Sequence, residues 1–143
     1  MDEQTRKLLE ECSKGCKMAV GSMDQIQEHI QNEKLRKLVS LYKKKHTQLE
    51  EEAAGLLAKG GNADPDASVM ASAMSWITTN VKLMMEETSS QAAKLLMDGC
   101  NMGIQSIAQA RHKYREASSQ SRSLADRLVK TEEQFAAELK EYL

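Results

Sequence analysis

The chain has 143 residues, 41% of them hydrophobic and 29% charged, which is enough for one domain with a sizeable core and no disulfide or structural metal. Its 20 basic and 21 acidic side chains give a net charge of -1, and a chain so nearly neutral has no overall field to attract nucleic acid or an anionic membrane. We therefore expect a single domain, residues 1–143, that binds neither nucleic acid nor a membrane.

The cysteines and the N-terminal residues predict the compartment. Cys12, Cys16 and Cys100 have neither the even number nor the spacing of a disulfide framework or a zinc ribbon. The first thirty residues lack the basic start and apolar run of a secretion signal, and no window approaches the roughly 18 apolar residues of a membrane span. These features favour a cytoplasmic protein.

Four long amphipathic helices are predicted from apolar residues spaced three and four positions apart. Helices 1, 2, 3 and 4 span about 2–31, 33–59, 88–115 and 118–142. Asn32 is a typical N-cap for helix 2, and Gly60 with Gly61 is typical of the end of that helix. Thr88, Ser89 and Ser90 all suit the cap of helix 3, and Ser118 and Ser119 lie in the polar interval before helix 4. Because the turn between helices 1 and 2 is short, these two helices should be antiparallel.

A further amphipathic helix is predicted at about 65–86, between helices 2 and 3. Pro65 suits the first position of a helix, where its missing N–H needs no partner. Four of the nine methionines fall in this inserted helix, at Met70, Met74, Met84 and Met85. We expect this Met-rich face to pack on the bundle; the alternative is contact with a protein partner or with a second copy of the chain.

Several short segments carry a family resemblance. They are Asn32-Glu33-Lys34-Leu35-Arg36, Met74-Ser75-Trp76, Gly99-Cys100-Asn101-Met102-Gly103-Ile104 and Lys130-Thr131-Glu132-Glu133. With four matched helices and a long middle connection, the chain resembles an uncharacterised bacterial family of ferritin-like four-helix bundles. The resemblance implies an all-α, ferritin-like antiparallel bundle with the inserted helix in the crossover from helix 2 to helix 3.

Ferritin-like oxidases hold two metals with a Glu on each of two helices and Glu-x-x-His on each of the other two. Here Lys43 stands three residues before His46, and Phe135 stands three residues after Glu132, so both Glu-x-x-His motifs are broken. We therefore expect no cofactor, and iron or another transition metal is the alternative. The candidate metal ligands are His46, Glu132, Cys12 and Cys16.

Helical geometry predicts the surroundings of these candidates. The apolar stripe predicted for helix 2 consists of Leu35, Leu38, Tyr42, Leu49, Ala53 and Leu56. His46 lies about 50° from the centre of this stripe, which predicts a half-exposed boundary residue. Cys12 and Cys16 are one turn apart on the buried stripe of helix 1, too far apart at Cβ for an undistorted disulfide. We expect two small core residues there, with a thiol redox pair as the alternative.

Gly99 and Gly103 lie four residues apart on the inward face of helix 3, which predicts a close helix crossing. The chain has no Gly-rich phosphate loop, nucleophile elbow or pair of acids arranged for catalysis. We therefore expect a non-enzymatic helical bundle that acts through assembly or partner binding. The alternative is a ferritin-like metal-binding oxidase or storage protein with a degenerate site.

Overall fold

The computed structural model describes residues 1–63, 78–80 and 88–143, and the regular structure within these ranges is helical. The long helices are α1 (Glu3–Gln27), α2 (Glu33–Lys59), α3 (Ser89–Lys113) and α4 (Ser119–Leu139), and a 3₁₀ turn at Lys140–Tyr142 follows α4. The predicted all-α class is confirmed for the described part of the chain.

Each long helix begins at a capping side chain, which accepts a backbone N–H three residues further on. The caps are Asp2, Asn32, Thr88 and Ser118. α1 ends at Gln27, earlier than predicted, because the next residues form a turn in which the N–H of Ile30 donates to the carbonyl of Gln27. That turn keeps Ile30 buried at the end of the bundle.

In the part of the chain that the structure describes, the core consists of two clusters, one in each half of the bundle. The lower cluster comprises Leu8, Leu9, Cys12 and Cys16 of α1, Leu49, Ala53 and Leu57 of α2, Ile107 and Ala110 of α3, Ala117, and Leu124, Ala125 and Leu128 of α4. The upper cluster comprises Met23, Ile26, Ile30, Leu35, Val39, Tyr42, Ala92, Ala93, Leu95, Leu96, Cys100, Phe135 and Leu139.

The two clusters define the helix directions. The residues of the lower cluster come from the first half of α1 and of α4 but from the second half of α2 and of α3. Hence α1 and α4 run one way, and α2 and α3 run the other. α1 packs on α2 and α3, and α4 packs on α3. α2 therefore ends at the lower end of the bundle, whereas α3 begins at the upper end.

Two sequence predictions about helix faces need correction. The buried stripe of α2 includes Val39 and Leu57, whereas the predicted Leu38 and Leu56 are only partly buried. No close crossing with another described helix occurs at Gly99, because a Cβ added there would meet no atom of the described residues within 4 Å. Gly15 of α1 makes room for a side chain, since a Cβ added there would lie 3.3 Å from the Ile107 side chain of α3.

The predicted inserted helix, about 65–86, lies outside the described residues apart from 78–80, and its four methionines are all outside them. At this described point, the Thr78 hydroxyl donates a hydrogen bond of 3.0 Å to the Gln25 side chain of α1. No helix in the described ranges combines the length with the apolar composition that crossing a bilayer requires.

Candidate functional site

A histidine and a glutamate meet in the middle of the bundle. His46 of α2 is completely buried, Glu132 of α4 is 5% exposed, and the imidazole Nε2 is hydrogen-bonded to the Glu132 Oε1. His46 follows Tyr42 of the upper cluster and precedes Leu49 of the lower cluster, so the pair lies between the two clusters. The structure thus brings together two of the four residues that the sequence proposed as metal ligands.

Both ring nitrogens of His46 are engaged. Nδ1 lies 2.7 Å from the carbonyl oxygen of Tyr42, and since a carbonyl can only accept, Nδ1 carries a hydrogen. One further proton then joins Nε2 to Glu132, and an ionised glutamate with a protonated histidine satisfies both partners. The pair is neutral as a whole, which makes its burial tolerable.

The burial of His46 contradicts the predicted boundary position. The error arose from including Leu38 and Leu56 in the helix stripe; with Val39 and Leu57 in their place, His46 lies within about 20° of the stripe centre.

Burial lowers the pKa of His46, but the hydrogen bond and charge of Glu132, helped by the Tyr42 carbonyl, outweigh the effect of burial and raise the pKa above 6.5.

Two stacked aromatic rings lie next to the His46–Glu132 pair, on the side of the upper cluster. The Tyr42 and Phe135 rings are nearly parallel, with an angle of 9° and centroids 4.4 Å apart. The Tyr42 hydroxyl donates to Glu138, and burial together with this hydrogen bond raises the pKa of Tyr42. Since Tyr42 and Phe135 lie one turn from His46 and Glu132, the stack fixes α2 against α4 where the pair forms.

The three cysteines are buried near the pair but do not join it. Burial raises the pKa of the Cys12 thiol to about 12. Burial also raises the pKa of Cys16 and Cys100, and the charge of Glu132 adds to the shift at both. These thiols stay protonated at neutral pH, so they are poor nucleophiles and do not suit a thiol redox role. Cys100 was not among the sequence candidates.

The carboxylate of Glu132 is accommodated by a glycine on α3. A Cβ added at Gly103 would come within 2.7 Å of the second Glu132 oxygen, Oε2. Gly103 therefore allows the close approach of a side chain, not of a helix backbone as the sequence predicted. The pattern could have suggested it, since Glu132 lies four residues after Leu128 and three before Phe135, on the buried stripe.

An apolar cavity of about 290 Å³, partly open to solvent, lies between α1 and α3 beside the pair. Among its described lining residues, α1 contributes Glu11, Lys14, Gly15, Met18, Ala19, Ser22, Met23 and Ile26, and α3 contributes Leu95, Leu96, Gly99, Cys100, Met102, Gly103, Ser106 and Ile107. Phe135 and the Glu132 carboxylate complete its inner wall. Sequence reasoning missed this cavity, because it depends on how far apart the two helices pack.

The metal candidates do not form a ligand set in the described ranges. No three His, Cys, Asp or Glu side chains there lie close enough together to hold one metal ion. His46 and Glu132 are hydrogen-bonded to each other, and Cys12 belongs to the lower cluster. What the arrangement can do chemically is share one proton within a neutral pair and present a carboxylate oxygen to an apolar cavity.

The raised pKa of His46 predicts a dependence of stability on pH. A histidine whose pKa is raised by folding stabilises the fold while protonated, so its contribution is complete below 6.5 and is lost as pH rises through its pKa in the folded state. The free energy of unfolding, measured with urea between about pH 6 and pH 8.5, should therefore fall with rising pH.

In Glu132→Gln this slope should largely disappear, because the carboxylate that holds the proton on His46 is gone. His112→Gln, which removes an exposed histidine of α3, should keep the wild-type slope. Parallel curves for the wild type and Glu132→Gln would contradict the assignment.

The two glycines of α3 should respond oppositely to alanine. Gly103→Ala forces the Glu132 carboxylate away from its place and should destabilise the fold by about 1–3 kcal/mol. Gly99→Ala adds a methyl group that meets no atom of the described residues within 4 Å, and it should stabilise the helix by up to about 1 kcal/mol. Urea unfolding of both variants measures the difference, and equal effects would refute the role given to Gly103.

Comparison with known proteins adds no relative. No family model, curated protein or solved structure matches the chain. The function of this chain is therefore inferred from the geometry of the His46–Glu132 pair and of the cavity beside it.

Proposed function

We propose that this chain is a non-enzymatic helical bundle that acts by binding, and that the α1–α3 cavity is its site for a small apolar ligand. The observation that carries the proposal is the cavity itself: about 290 Å³ of apolar space, open on one side, with a single carboxylate in its inner wall. Ligand pockets are concave and mostly apolar, with a few placed polar groups, and this cavity is close to their lower size limit.

The polar groups beside the cavity support binding over catalysis. Both nitrogens of His46 are already hydrogen-bonded, so the imidazole has no free lone pair for an incoming substrate. The pKa of the neighbouring Cys100 thiol is raised by burial, which suppresses its nucleophilic form. A largely apolar wall, next to a polar pair whose partners satisfy each other, is suited to holding a ligand.

We also propose that the bundle is ferritin-like. Two parallel middle helices, α2 and α3, require one long connection between opposite ends of the bundle, and ferritin-like folds have one such crossover. The polar pair lies at mid-height and projects inward from α2 and α4. The helix directions support the proposal together with the sequence resemblance, which also rests on the long middle connection.

Assembly and protein binding through the Met-rich inserted segment stay part of the proposal, as does a cytoplasmic, bacterial setting. These proposals rest on the sequence alone. The residues Met70, Met74, Met84 and Met85 of the inserted segment lie outside the described residues. A homo-oligomer formed through this segment would be compatible with a ligand site between α1 and α3. Sedimentation of the wild type and of a variant with these four residues replaced by Gln tests that part separately.

The ligand site can be tested with 1-methylnaphthalene and protein labelled with ¹³C at the methionine methyl groups. Addition of the compound should shift the methyl signals of Met18, Met23 and Met102, which line the cavity. The signal of Met1, which contacts Gly60 at the lower end of the bundle, should stay in place. Gly99→Leu should abolish the shifts, because its side chain grows into the cavity from a position without steric conflict at Cβ.

Gly55→Leu is the matched control. Gly55 is exposed on α2, and a Cβ added there also meets no atom within 4 Å. This variant should therefore bind 1-methylnaphthalene like the wild type. Shifts that persist in Gly99→Leu would refute the cavity as the binding site.

A second candidate function is metal binding at a degenerate ferritin-like site. The favouring observation is that His46 and Glu132, two of the proposed ligands, meet in the bundle centre. The charge of Glu132 also raises the pKa of the Cys16 and Cys100 thiols, which places both cysteines near the pair. Iron or another transition metal would have to displace the proton that the pair shares.

Elemental mass spectrometry on protein purified without chelator or affinity tag tests this alternative. We expect less than one metal per chain, with no change in His46→Gln, Cys12→Ala or the surface control His112→Gln. A stoichiometric metal that is lost in His46→Gln but kept in His112→Gln would favour the metal protein over the ligand-binding bundle.

A further inference from the structure

The walls of the α1–α3 cavity restrict the chemistry of its ligand, and the inference drawn from them rests on the function proposed above. The first restriction is size. An engineered apolar cavity of about 150 Å³ accommodates benzene, so about 290 Å³ accommodates an apolar body of roughly two fused rings. The methionines Met18, Met23 and Met102 on its walls can adjust to such a body, because their side chains are unbranched and flexible.

The second restriction comes from the Glu132 carboxylate. An ionised carboxylate only accepts hydrogen bonds and has two oxygens to satisfy. Oε1 is bonded to His46, whereas Oε2 lies on the side of Gly103, one of the residues that line the cavity. A ligand with an O–H or N–H group at the inner end of the cavity would donate to this side of the carboxylate.

The third restriction is charge. The protonated His46 already balances Glu132, so a cationic ligand would bring an uncompensated positive charge into an apolar space. An anion would face the carboxylate and be repelled. Lys14 and Glu11 also line the cavity, and the Lys14 Nζ lies 3.7 Å from the Glu11 Oε1. Their opposite charges offset each other, so together they favour neither an anionic nor a cationic ligand.

We propose that the cavity binds a neutral, amphiphilic small molecule, with an apolar body about the size of two fused rings and one hydrogen-bond donor that reaches Glu132. Aromatic alcohols, phenols and indole-type compounds have this chemistry. The carboxylate selects the donor and the His46 charge selects neutrality. Gly99 leaves space for the ligand, and Gly103 leaves space for the carboxylate.

A matched series on the naphthalene ring tests each restriction. 1-Naphthalenemethanol carries the donor, 1-methylnaphthalene lacks it, 1-naphthoate is the anion, and 1-naphthylmethylammonium is the cation. Dissociation constants come from the methyl shifts of Met23 and Met102 at pH 6.5. We expect 1-naphthalenemethanol to bind about tenfold more tightly than 1-methylnaphthalene, and both ions to bind more weakly than 1-methylnaphthalene.

Glu132→Gln and Glu133→Gln form the matched pair of variants. Glu133 is exposed and adjacent, so its replacement should leave the series unchanged. Glu132→Gln should reduce the preference for the alcohol over 1-methylnaphthalene to below about threefold, because a neutral amide is a weaker acceptor than a carboxylate. Binding of 1-methylnaphthalene to Glu132→Gln checks that its cavity is intact.

The outcomes separate the ligand class from the proposed function. If 1-methylnaphthalene binds as tightly as the alcohol, and Gly99→Leu abolishes both, the ligand class is wrong and the binding cavity stands. Tightest binding by the ammonium compound or by 1-naphthoate would likewise overturn the ligand class alone. If none of the four compounds shifts the cavity methionines, both the ligand class and the proposed function fail.

Discussion

The hydrogen bond between His46 and Glu132 is the interaction on which the centre of this bundle depends. A buried ion pair adds little stability compared with a well-packed apolar pair, yet removal of one partner leaves a buried polar group that costs about 3–5 kcal/mol. The pair therefore constrains the rotation and height of α2 relative to α4. The Tyr42–Phe135 stack one turn away has the same effect, since it joins the same two helices.

The space around the pair follows from this constraint. At mid-height, two polar side chains enter the core from α2 and α4, and α3 opposes Glu132 with Gly103. On the α1 side the cavity wall includes Gly15 and Ala19, which are also small residues. A larger residue at Gly103 would displace the Glu132 carboxylate, and larger residues at Gly15 and Ala19 would fill the cavity. The polar pair and the cavity are thus two consequences of one packing arrangement.

The same arrangement limits the chemistry of the site. A histidine with one free nitrogen is a base or a metal ligand, whereas His46 has both nitrogens occupied by Tyr42 and Glu132. The buried thiols have raised pKa values and stay neutral. The core therefore holds one proton in a fixed place and presents an acceptor to the cavity. These properties are suited to recognition of a ligand by shape, neutrality and a single donor.

The sequence by itself determined the all-α class, the helix cap at Asn32 and the short polar intervals that contain the caps Thr88 and Ser118, because caps and apolar stripes depend on residues only a few positions apart. It also identified His46 and Glu132 as the residues to examine. Only the tertiary structure decided that they meet, that His46 is buried and that Gly103 faces a carboxylate, because these facts depend on the rotation and separation of whole helices. A stripe centre misplaced by a few tens of degrees turns a buried histidine into a boundary residue, and no local pattern in one helix reports the distance to another.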